Sequence, residues 1–83
     1  MSSFNVHKAH VLDSSLPIEN RFSHLRSCMN KLANLLGCSR VILVERISSS
    51  TGVNVENGSS EVELLKAFEF LLNLRAEHLN ETQ

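Results

Sequence analysis

The chain has 83 residues, 42% of them hydrophobic and 20% charged. That leaves room for one small folded domain and excludes a disordered chain, a two-domain hinge or a Rossmann-type sheet. All four aromatics are Phe and the net charge is −1, so little is present to stack on a base, and no overall field draws the chain to nucleic acid or membrane.

Residues 4–12 (FNVHKAHVL) partly alternate, with Phe4 and Val6 on one face, and read as a strand. Asp13-Ser14-Ser15 follows as a turn, and Pro17 suits a first helical turn, where its missing N–H is no loss. From 17 to 36 the period is helical. Ile18, Phe22, Leu25, Met29, Leu32, Ala33 and Leu36 fall within a sector of about 100°, with Glu19, Ser23, Arg26, Asn30 and Asn34 opposite. Gly37 suits the stop, since glycine reaches the left-handed conformation freely.

Residues 40–47 (RVILVERI) read as a strand on β-branched content, apolar on both faces at first, as in a central strand. Residues 52–56 (GVNVE) alternate as a shorter partner strand. Ser60 and Glu63 form the S-x-x-E capping box of a second helix over 60–79. The apolar residues of that helix spread over roughly 200° of its circumference, more than one sheet face can cover. Arg75 lies near the middle of the arc, where an unpaired charge is costly, and is expected to reach a carboxylate or the surface. The expected fold is an α+β domain of order β-α-β-β-α. Its three-stranded or two-stranded sheet, with antiparallel pairing, packs with two helices. The whole chain, 1–83, is one domain with residues 1–3 and 80–83 as tails.

Residues 1–48 hold six basic and three acidic groups, a net of +3, and residues 49–83 hold two basic and six acidic, a net of −4. Such a split suits either contact between unlike halves of neighbouring molecules or one basic and one acidic face on a single molecule. Residues 1–20 lack a continuous apolar stretch, and no run approaches a membrane span. Cys28 and Cys38 are therefore expected as reduced thiols in the cytoplasm.

Three constellations carry possible chemistry. His7-x-x-His10 together with His24-x-x-x-Cys28 offers four metal-ligand side chains. Against it, Arg21 and Lys31 lie on the same flank, and an extended segment would point His7 and His10 to opposite faces. The His24–Cys28 pair also suits an activated thiol, but no Gly-rich or strained turn supplies an oxyanion hole. Arg21, Arg26, Lys31, Arg40 and Arg46 form the candidate nucleic-acid surface, although those on the first helix scatter around its axis. The strongest signal is the wide apolar arc of the second helix, with Leu65, Phe68, Phe70, Leu72, Arg75 and Leu79 as the candidate protein interface. The sequence thus points to a small non-catalytic regulatory or adaptor module without a cofactor. It would bind itself as a homodimer and another protein through that helix, away from membranes. A nucleic-acid-binding regulator stands second and a small metal-binding protein third.

Overall fold

In a computed structural model, which describes residues 4–58 and 60–81, the described residues form four helices. They are α1 (Phe4–Val11), α2 (Ile18–Leu36), α3 (Arg40–Thr51) and α4 (Glu61–Glu81). No strand occurs among the described residues, so the expected α+β sheet domain is corrected to an all-helical one. Of the expected tails, residues 1–3 and 82–83 lie outside the described residues, while Asn80 and Glu81 continue α4.

The amphipathic segment behaves as its period requires. Phe22, Leu25, Cys28, Met29, Leu32 and Ala33 are buried along one face of α2. Its C-terminus is a Schellman motif. Gly37 turns left-handed at φ 73°, its N–H donates to the Asn34 carbonyl, and the Cys38 N–H donates to the Ala33 carbonyl at 3.0 Å. At the start of α4 the capping box is present in both directions. The Glu63 N–H donates to Ser60 Oγ and the Ser60 N–H to Glu63 Oε1, each at 3.2 Å.

The segment expected as the central strand is α3. Its β-branched residues each lose a few tenths of a kcal/mol in a helix. Complete burial of Leu43 and Ile47, one turn apart, returns about 1.5–3 kcal/mol per side chain. Ser39, in extended conformation, stands at its N-cap, and Gly52 ends it at φ 77° with its N–H on the Ser48 carbonyl. A helix also closes its own backbone hydrogen bonds, which a strand here could not do without a neighbour. Residues 4–12 correct in the same way. In α1, Phe4 and Val11 lie seven residues apart on the buried side, and Val6 points to solvent.

Residues 52–56 are irregular, yet they keep the period of two. Val53 and Val55 are buried while Asn54 and Glu56 are exposed. Side chains replace the missing ladder. Arg26 Nη1 donates to the Val55 carbonyl at 3.1 Å, and the Glu56 N–H donates to Asn54 Oδ1 at 3.0 Å. The close approach at the end of this loop needs glycine, because a Cβ on Gly58 would land on the Phe22 ring.

One hydrophobic cluster joins all four helices and the two loop valines. α2 is the hub and touches the other three helices, α3 and α4 touch each other, and α1 packs on α2 alone among the helix backbones. The molecule measures 36 × 30 × 18 Å, a thickness that fits two layers of helices. None of the helices among the described residues is long and apolar enough to cross a membrane.

Candidate functional site

The wide apolar arc of α4 divides into two stripes. Leu64, Ala67, Phe68 and Leu71 face inward and are buried, and Phe70, Leu72 and Leu74 pack half-buried against that core. Phe68 therefore serves the domain's own interior. Among the described residues Arg75 makes no ion pair with a carboxylate; its guanidinium lies over the Phe4 ring, 4.3 Å from the centroid, and tethers α4 to α1.

Beside the inner stripe runs an outer one at alternating steps of three and four: Val62, Leu65, Glu69, Leu72, Ala76 and Leu79. At 100° per residue it occupies a sector of about 100°. Val62 is 69% exposed and Leu65 42% exposed; Leu72 and Leu79 are half-buried. Leu65, Leu72 and Leu79 were legible as interface candidates, but Val62 was not. Its signal was there: it continues the same spacing back into the first turn. Phe70 lies on the other flank, in an open depression with Thr51, Lys66 and Asn73.

The basic residues are largely committed to structure. Arg21 is only 5% exposed. Its Nε donates to the Val11 carbonyl at 2.8 Å and its Nη1 to Glu61 Oε2 at 3.0 Å, which ties the end of α1 to the start of α4. Arg26 holds Val55, and Arg40 pairs with Glu56 at 2.5 Å. Lys31 and Arg46 remain exposed. Of the arginines expected to face a phosphate backbone, Arg21, Arg26 and Arg40 thus make bonds within the fold, and Arg46 does not do so among the described residues.

The histidines do come together. Because 4–11 is helical, His7 and His10 share a face at a spacing of three, and both meet His24 on α2. The Nδ1 atoms of His7 and His24 are 2.8 Å apart, a hydrogen bond in which one ring donates and the other accepts. The His10 ring stacks on His24 with centroids 4.4 Å apart and planes 25° apart. Burial first, then the charges of His10 and His7, hold the His24 imidazole below its ordinary range.

Cys28 stands apart from this cluster. It is buried, its thiol donates to the Phe4 carbonyl at 3.8 Å, and burial pushes it up to about 11, with Arg75 opposing. A thiol so placed is a poor nucleophile and a poor metal ligand. No group of three or more His, Cys, Asp or Glu among the described residues is arranged to hold a metal ion. Comparison of the chain with family models, with curated proteins and with solved structures gives no match.

Proposed function

We propose that this chain is a non-catalytic protein-binding module that self-associates through the outer stripe of α4. The observation that carries the reading is the coexistence of two apolar stripes on one helix. The inner one already fills the core, and the outer one leaves Val62 and Leu65 in solvent at coiled-coil spacing. A second copy is the occupant that fits. The stripe is self-complementary about its middle: an antiparallel, two-fold pairing sets Val62 against Leu79, Leu65 against Ala76 and Glu69 against Leu72. The same register brings the acidic first turn, Glu61 and Glu63, level with His78 at the far end of the other α4. Regulation or adaptation of another protein by such a dimer suits a chain of this size. The two free thiols, Cys28 and Cys38, fit a reducing compartment such as the cytoplasm.

Sedimentation equilibrium over a micromolar concentration series tests it. The expected result is a reversible dimer for the wild type and a folded monomer for Leu65→Glu and for Leu72→Glu. Leu65 is exposed in the monomer, so its variant should keep the wild-type circular dichroism. A wild type that stays monomeric throughout, or a Leu65→Glu variant that still dimerises, would sink the proposal.

A further inference from the structure

The α1–α2 contact contains an arrangement that self-association does not use. We propose that His7, His10 and His24 form a pH-sensitive clasp that holds α1 on α2 near neutral pH and lets α1 go on acidification. The geometry distinguishes the protonation states. The His7–His24 bond of 2.8 Å needs one Nδ1 to keep a free lone pair, so it survives none or one proton on the pair but not two. The stacked His10 ring, 4.4 Å from His24, tolerates a neutral neighbour and repels a charged one once it is itself charged.

The surrounding charges leave this balance in place. On α1 Lys8 follows His7, and on α2 Arg21 stands one turn before His24, both cationic. On α4 Glu61 is engaged by Arg21, and Arg75 lies over Phe4. In the α1–α2 turn the Asp13 carboxylate is within electrostatic reach of His10 and Arg21, but it is exposed and already accepts the Ser15 N–H and hydroxyl at 2.9 and 2.6 Å. One solvated carboxylate cannot neutralise three imidazoliums at once. The sign agrees with His24 lying below its ordinary range. Protons bind more tightly when the clasp is open, so closure is favoured above the ordinary imidazole pKa and lost as pH falls below it.

α1 is the element able to respond. Its eight described residues are too few to persist as a helix alone, and α2 is the one helix whose backbone it packs against. Its other ties are the buried side chains of Phe4 and Val11, the Arg75 guanidinium of α4 over the Phe4 ring, the Cys28 thiol on the Phe4 carbonyl and the Arg21 bond to Val11. Amide hydrogen exchange, expressed as protection relative to each residue's intrinsic rate, reads the opening helix by helix. Between about pH 7.5 and pH 5 the amides of α1 should lose about tenfold or more in protection, while α2 and α4 keep theirs. His24→Gln should remove that pH dependence, and His10→Gln, which spares the His7–His24 bond, should reduce it. The idea is overturned if α1 protection is constant across the range, if all four helices lose protection together, or if the loss persists unchanged in both variants.

Discussion

Replacement of Arg21 by Met removes a charged donor from the interior while keeping the length of its stem. In the wild type the Nε bond to the Val11 carbonyl is 2.8 Å long and buried, and a hydrogen bond from a charged group contributes about 1.5–3 kcal/mol. The partner carboxylate of Glu61 keeps 55% side-chain exposure, whereas Arg21 keeps 6%. Glu61 therefore re-solvates when the pair is broken, and that half of the contact is worth at most about 1 kcal/mol. The Val11 carbonyl at the end of α1 is the group left in difficulty, because it has no later turn to accept from. Methionine recovers part of the stem packing, so the net loss is about 2–3 kcal/mol. A domain of this length has roughly 4–12 kcal/mol in total. Thermal unfolding followed by circular dichroism should show Arg21→Met melting roughly 10–20 °C lower, and Glu61→Gln falling by less than about 1 kcal/mol. If Arg21→Met lies within 1 kcal/mol of wild type, or if Glu61→Gln is as damaging, the assignment of Arg21 as the tie between α1 and α4 is wrong.

Two further outcomes follow from close packing. Gly58→Ala should lose about 1–3 kcal/mol, because its Cβ meets the ring of the buried Phe22; chemical denaturation measures this, and an unchanged midpoint would mean that the loop slides away freely. With its thiol pushed up to about 11, Cys28 holds about one thiolate per thousand molecules at pH 8. Titration with an aromatic disulfide reagent should then show the half-buried Cys38 reacting in the native state and Cys28 only on unfolding. Two thiols reacting at equal native rates would contradict the burial of Cys28.

The parts of the fold that could be read from the residues are those whose signal is local. The stripe of α2, the glycine that ends it and the Ser60–Glu63 box each lie within one or two turns of chain, where side-chain chemistry and backbone need agree. Residues 40–47 are a place where propensity and packing conflict. Val41, Ile42 and Val44 favour a strand in isolation, but the decisive pair was Leu43 and Ile47, whose spacing of four matters only once a core exists to receive them. Residues 52–56 show the reverse: their alternation was a true record of which side is buried, without the neighbouring strand that alternation usually implies. The histidine cluster was half legible, since its members were named while the extended reading of 4–12 separated His7 from His10. The roles of Arg21 and Arg26 lay beyond local reading. Their acceptors are main-chain carbonyls 10 and 29 residues away, and nothing in an arginine's immediate neighbours reveals that distant pairing.

The connection from Gly52 to Ser60 has a bearing on how this chain can change over generations. Connecting segments are ordinarily where insertions and deletions accumulate, because they lie outside the packed interior. Here Val53 and Val55 of the connector are themselves members of the buried core cluster. One added or lost residue would exchange the valines for Asn54 and Glu56 at the buried positions. Length variation should therefore be purged from this stretch and permitted in the exposed turn around Ser14, an inversion of the usual relation between irregular backbone and evolutionary freedom.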